Sequence, residues 1–320
     1  MTLKYDPEFQ AVHDAFAKMF KLEPLSLDDI EGSARRREES MQAFIPKQVV
    51  HPDVEQATHP IDTSDGHTIT VVSFVKRDSQ SSPGPALLHF HGGGMIMGSA
   101  EGGAMILSAL VMETSIPVFS VNYRLAPKFK GPIPAQDGYA ALLWLQSRAD
   151  EFNVDPARIA LLGYSGGGGV AAGVGLIARD QDLQPPLAKQ ILIYPMLDDR
   201  NLVENEGLKP LATWTWEENK VGWTGLLGGQ AGKPDAPVSQ YAAPARATNT
   251  ANLPPTYLDT GDLDIFRDEV VTYAARLLAQ NVPVELHVYP GVPHAFELIA
   301  PNVEVSKRAV ENRRRAMTDF

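Results

Sequence analysis

The stretch Ile159-Ala160-Leu161-Leu162-Gly163-Tyr164-Ser165-Gly166-Gly167 constrains this chain more than any other. Ile159 to Leu162 form an apolar run between the charged Arg158 and a glycine, which predicts a buried strand. Gly167 to Val174 are small and apolar and predict a helix packed close on a sheet. Gly163-x-Ser165-x-Gly167 therefore falls at a strand-to-helix turn, the setting in which G-x-S-x-G holds a nucleophilic serine on a sharp elbow. So sharp a turn needs residues without side chains two before and two after the serine. It leaves the hydroxyl exposed at the end of the strand. It also aims the helix amino terminus, with free N–H groups and a partial positive charge, at any oxyanion formed there. A plain glycine-rich turn can carry the same letters, so the rest of the chain has to decide.

From Ala86 onward, short apolar strands alternate with helical patterns. Strands are expected at 86–90, 116–121, 158–163, 190–194, 255–260 and 284–289, and helices at 100–114, 133–148, 167–178 and 267–280. Such alternation predicts an α/β fold with a mostly parallel sheet covered by helices on both faces, its site at the strands' carboxyl ends. Before it, residues 58–77 read as two strands joined at Ser64-Asp65-Gly66, and Ser79 to Pro85 as a polar loop.

Two amphipathic helices are expected ahead of any strand. Phe9, Val12, Phe16, Met19 and Phe20 share one face of the first. Ser26, with Asp29 as its acidic capping partner, opens the second, whose charged middle is followed by Met41, Phe44 and Ile45. The two form a lid, or cover one side of the domain; periodicity fits both. Residues 198–252 break the alternation with Trp214, Trp216, Trp223 and many glycines and prolines. An insertion that long after a strand suggests a functional loop or lid. Its tryptophans line a pocket or pack lid on core. The division expected is residues 1–50 as N-terminal cap helices and 51–320 as a catalytic domain with a cap-type insertion at about 198–252.

The 320 residues carry a formal net charge of −11, which argues against a nucleic-acid partner. Arg313-Arg314-Arg315 is expected on a solvated helix face. The absence of cysteine excludes disulfides, thiolate metal sites and cysteine nucleophiles. No secretory leader and no membrane span is evident, and the expectation is a soluble, cytoplasmic protein.

A serine hydroxyl needs a base, and the base an orienting acid. Of the 8 histidines, His294 follows the last strand, in the loop Pro290-Gly291-Val292-Pro293-His294. His89 lies within a strand. The acid is expected between serine and histidine in chain order, where Asp262 and Asp264 both fit; Asp268 and Glu269 are expected to open the next helix. His91-Gly92-Gly93-Gly94 follows the strand ending at Phe90, and consecutive glycines let backbone N–H groups approach a developing oxyanion.

The combination resembles the hormone-sensitive-lipase-like (bacterial family IV) esterases of the α/β-hydrolase superfamily. The resemblance rests on His91 to Gly94, Val121 to Pro127, Pro134 to Leu142, Asp155 to Ile159 with the elbow, Tyr194 to Asp199, and the loops of Asp264 and His294. In that family an aspartate stands two residues before a leucine and Arg-Asp-Glu follows, which implies Asp264 as the acid. The resemblance further implies Gly93, Gly94 and Gly166 as oxyanion donors, no cofactor, short to medium acyl chains, and a homodimer. Tyr164 and Gly166 replace the usual Asp and Ala, and Ile265-Phe266 the usual Pro-Leu.

The sequence thus reads as a serine carboxylesterase with a Ser165–His294–Asp264 triad and a small acyl ester as its substrate. Amide, lactone or carbonate hydrolysis, or acyl transfer, would use the same groups. A non-catalytic receptor would be expected to have lost a triad member, and a nucleotide-binding module would need a Walker lysine or a dinucleotide fingerprint. Neither condition is met. No cluster with metal-ligand spacing appears.

Overall fold

A computed structural model describes residues 3–19, 22–42, 49–77 and 82–320. Phe20, Phe44, Ile45 and residues 79–81 of the expected polar loop lie outside the described residues. In chain order the elements are α1 (Pro7–Met19), α2 (Ile30–Gln42), β1 (Val54–Asp62), β2 (Thr68–Lys76), β3 (Gly84–Phe90), α3 (Ala104–Thr114), β4 (Val118–Asn122), α4 (Ile133–Ser147), β5 (Val154–Tyr164) and α5 (Gly166–Asp180). They continue with β6 (Lys189–Ile193), α6 (Trp216–Leu227), β7 (Thr256–Gly261), α7 (Arg267–Ala279), β8 (Val284–Tyr289), α8 (Phe296–Ile299) and α9 (Glu304–Thr318).

The strands form an eight-stranded sheet in the order β1-β2-β4-β3-β5-β6-β7-β8. β1 pairs antiparallel with β2 and β2 with β4; the other pairs are parallel. Side chains alternate between two cores. Ile159 and Leu161 of β5 face one core, which holds α4, α5 and α7 residues; Ala160 and Leu162 face the other, with residues of α3 and α9. Burial on both faces is why these strands are continuous apolar runs. β5 starts at Val154 rather than 158: Val154 pairs with Gly84, and the intervening residues bulge from the ladder before Ile159 pairs with Ala86.

α1 packs against the loop that follows β8. Phe9 of α1 is buried with Val292, Phe296 and Val303, and Asp6 donates its N–H to the Gly291 carbonyl at 2.8 Å. Asp29, not Ser26, caps α2. Its Oδ1 accepts the Gly32 N–H at 3.0 Å, while the Ser26 hydroxyl accepts from Asp28 in the turn before. The helix therefore begins three residues later than a cap at Ser26 would place it.

Arg313 corrects the reading of the basic run. It is 3% exposed, and its guanidinium lies 2.6 Å from Asp259 and 2.8 Å from Glu297. Arg314 and Arg315 stay outside and pair with Glu311 and Glu285. α9 is amphipathic, and an arginine falls on its buried stripe because two carboxylates wait there. Among the described residues no helix is long and apolar enough to cross a membrane.

Candidate active site

β5 delivers Ser165 at its carboxyl end, where the chain turns into α5. Ser165 has φ 54° and ψ −121°, a conformation that costs a non-glycine residue about 1–3 kcal/mol. Backbone hydrogen bonds hold it, the shortest three from both sides of the turn. The Ser165 N–H donates to Ile193 at 2.9 Å, and its carbonyl accepts from Gly168 at 2.9 Å and Met196 at 3.0 Å. The flanking glycines are required by contact. A Cβ on Gly163 would stand 2.3 Å from the Gly167 carbonyl oxygen, and one on Gly167 2.2 Å from that of Phe90.

His294 Nε2 lies 2.9 Å from Ser165 Oγ, and His294 Nδ1 lies 2.7 Å from Asp264 Oδ2. The remaining oxygen of Asp264 accepts the Phe266 N–H at 2.9 Å. Asp264 is fully buried, and Ser165 and His294 nearly so. Of the two acids left open by spacing, Asp264 is the one brought to the histidine. Asp262 instead accepts the Gly291 N–H at 2.6 Å and fixes the loop that leads to His294. The imidazole is boxed by the Tyr194 ring (centroids 4.6 Å apart) and the Phe266 ring (5.1 Å).

The glycine loop after β3 faces the serine. A Cβ on Gly92 would stand 3.5 Å from Ser165 Cβ. Gly166 closes on the same loop, since a Cβ there would meet the Gly94 nitrogen at 2.9 Å and the Met95 nitrogen at 2.8 Å. Among the described residues the N–H groups of Gly93 and Gly94 find no backbone acceptor, and Gly166 is the first residue of α5, where N–H groups have no partner within the helix. Tyr123 braces the loop from β4. It stacks on His91 (4.3 Å, 12°) and donates its hydroxyl to the His91 carbonyl at 2.7 Å. Burial pushes His91 down to about 4, so its ring is neutral.

Tyr164 brings no charge beside Ser165. Its phenol is pushed up to about 12 by burial, and its ring packs toward His89 and Tyr194.

Three features escaped sequence reasoning. Glu269 does more than open α7. It is buried, accepts N–H groups from Leu197 (2.6 Å) and Asp198 (3.2 Å), and takes the Asn201 amide at 2.8 Å. Burial holds its carboxyl well above the usual range. Asn201 also donates to the Ile265 carbonyl and accepts from Trp216 Nε1, so it ties the Asp264 loop to α6. The second feature is Thr213, whose hydroxyl donates to the His294 carbonyl at 2.7 Å. The third is the direct seat of the 198–252 insertion on the glycine loop. The Trp214 ring carbons would stand 3.0 Å from a Cβ on Gly94, and Gly222 of α6 lies against the Gly94 carbonyl. Trp223 is fully buried in the core and Trp216 nearly so. Only the glycines and the Arg-Asp-Glu run hinted at any of this. Among the described residues no group of three or more His, Asp or Glu is placed to hold a metal ion.

A family profile described as alpha/beta hydrolase fold matches residues 87–298. Esterase LipI of Mycobacterium tuberculosis is 32% identical over 282 residues, covering 85% of this chain and 83% of its own. An ethyl acetate hydrolase of Pseudomonas putida is 29% identical over 294 residues, covering 90% and 88%. The structure of a bacterial heroin esterase is similar over 98% of this chain and 97% of that one, with a TM-score of 0.87 and 35% identity.

Proposed function

The chain belongs to the hormone-sensitive-lipase-like esterases of the α/β hydrolase fold and is a carboxylic ester hydrolase, and from that premise we propose that Ser165, His294 and Asp264 perform the hydrolysis. The observation that carries this reading is the unbroken contact from Asp264 through His294 to Ser165, 2.7 and 2.9 Å, on a strained elbow.

Ser165 Oγ attacks the acyl carbonyl while His294 Nε2 takes its proton. Asp264 orients the imidazole through Nδ1 and stabilises its charged form. The N–H groups of Gly93, Gly94 and Gly166 hold the tetrahedral oxyanion, a donor set in which one member is typically worth about 10²–10³-fold in rate. His294 then protonates the leaving alcohol, and water releases the acyl group by the same route in reverse.

The preferred substrates are esters of short to medium acyl chains. Trp214 and α6 sit directly on the glycine loop, which supports a shallow acyl site. In the same reading residues 1–50 carry the N-terminal cap helices, and residues 51–320 are the catalytic domain with a cap-type insertion at about 198–252. The protein acts in the cytoplasm, which cell fractionation tests. It forms a homodimer, supported by the position of β8 at one edge of the sheet and read by analytical ultracentrifugation.

The deciding experiment is hydrolysis of p-nitrophenyl esters from acetyl to dodecanoyl by the wild type and by Ser165→Ala. The wild type should turn over the short esters, and the variant should lose about 10⁴-fold or more in kcat. A folded wild type inert on every ester, yet active on an amide or lactone, would replace the ester reading. Equal rates for wild type and variant would remove Ser165 from the chemistry.

A further inference from the structure

Behind His294 lies a buried polar cluster that the reaction as described does not use. Tyr194 donates its hydroxyl to Glu297 Oε1 at 2.5 Å. The Arg313 guanidinium reaches the same oxygen at 2.8 Å and grips Asp259 through Nε (2.6 Å) and a second nitrogen (3.2 Å). Tyr257 donates to the same carboxylate at 3.1 Å. Asp259, Glu297 and Arg313 are each at least nine-tenths buried.

The cluster joins separate pieces of the site. Tyr194 directly follows β6, between Ile193, whose carbonyl accepts the Ser165 N–H, and Pro195-Met196, whose Met196 N–H returns to Ser165. Glu297 sits on α8, three residues past His294. Asp259 is on β7 and Arg313 on α9. The Tyr194 ring, with the Arg313 guanidinium 5.1 Å from its centre, meets the imidazole edge-on at 4.6 Å.

The charges do not cancel. Asp259 accepts three donated hydrogens, bonding that favours the ionised carboxylate against the burial that pushes its carboxyl above the usual range. Glu297 accepts two on one oxygen, and its other oxygen is buried without a partner. Two carboxylates face one guanidinium, so with both ionised the buried cluster carries one net negative charge. The other groups facing the cluster are phenols and His287, which pairs with Asp259 across the β7–β8 ladder, packs on the Tyr257 and Tyr289 rings and is itself bonded to Glu285. Tyr164, Tyr194, Tyr257 and Tyr289 are all pushed up by burial and stay neutral. Arg308 lies beyond Tyr289, 5.9 Å from its ring. Around His294 itself the facing groups are Asp264, Ser165, the Tyr194 and Phe266 rings and the Thr213 hydroxyl.

We propose that Glu297, Asp259 and Arg313 are positioning residues for His294: they hold the Tyr194 ring against the imidazole and place a net negative charge behind it that favours the imidazolium formed when Ser165 gives up its proton. The inference rests on His294 being the general base. Low-dielectric surroundings keep such a charge effective at a distance where water would screen it.

The test is the pH profile of kcat/KM and kcat for p-nitrophenyl butyrate. Glu297→Gln and Asp259→Asn each neutralise the cluster with little change of shape, from different elements. Removing negative charge makes the imidazolium less favourable, so the acid limb should move to lower pH by about 0.5–1 unit in both. Plateau kcat should fall severalfold as the base weakens, with KM within about twofold. Tyr194→Phe keeps the ring and both carboxylates and gives up only the hydrogen bond to Glu297, so its acid limb should move clearly less than in the charge variants. An unmoved or upward-shifted limb in the folded charge variants overturns the proposal. So does an equal shift in Tyr194→Phe, which would trace the effect to packing. If one charge variant fails to fold, the other carries the same sign. Ser165→Ala runs alongside: activity surviving in it would sink the triad reading whatever the limbs do.

Discussion

At the scale of single residues, the site is built from close approaches that tolerate no added atom. Gly167 lies under the carbonyl oxygens of Phe90 and His91, and a Cβ there would meet both within 2.3 Å. Gly167→Ala should therefore open the elbow, cost about 1–3 kcal/mol of stability and lower kcat at least tenfold, read by chemical denaturation and ester turnover. Trp214 presses on Gly94 from the other side. If Trp214 closes the acyl site, Trp214→Ala should move the optimum along the p-nitrophenyl series toward longer chains. Unchanged relative rates across the series would take Trp214 out of the pocket. The elbow, glycine loop and histidine were all legible in the sequence, because each is a local pattern with a backbone reason. The choice between Asp262 and Asp264 was not legible from spacing: both follow β7, and only the folded loop turns one toward His294 and the other toward Gly291.

At the scale of elements, the two outer segments are latched together. Arg37 of α2 is 6% exposed in its side chain and lies 2.5 Å from Glu218 of α6, while its Nε donates to the Glu23 carbonyl. Glu218 also completes a capping box with Thr215 at the start of α6. Arg37→Ala should strand the buried end of this pair and cost roughly 3 kcal/mol by denaturant titration. Glu218→Gln should cost less, because glutamine still serves the capping box. The strands were easier to read than these ties. β3, β5 and β7 are apolar on both faces, so their existence is written in composition, whereas a long-range partner leaves no periodic trace. The Arg313 run looked solvated for that reason, since a charged triplet shows nothing of the carboxylates that meet its first member. Glu269 was hidden likewise, its acceptor role set by a loop some seventy residues earlier.

At the scale of the whole molecule, two buried histidines make stability depend on pH. His89, hydrogen-bonded to Ser120 at 2.8 Å, is pushed down to about 3 by burial, and His91 to about 4. Both lie below the unfolded value near 6.5. Their contribution is therefore complete above that pH and is lost as pH falls from 6.5 toward 4 and then 3. At pH 5 each costs about 2 kcal/mol, because the unfolded chain takes up protons that the native state refuses. His89→Asn should remove about half of that combined loss. The check is the change in unfolding free energy between pH 7.5 and 5, compared with the wild type. An identical change in the two proteins would mean that His89 is protonated in the fold at no cost.

The insertion reaches the chemistry at more than one point. Thr213 holds the His294 carbonyl, Trp214 covers Gly94, and Gly222 rests on the Gly94 carbonyl. Selectivity and speed are consequently not separable modules in this chain. An insertion transplanted from another esterase to change the preferred substrate would carry its own wall, but not these props. Such a chimera should bind its new ester and turn it over poorly until a hydroxyl at position 213 and a glycine at position 222 are restored.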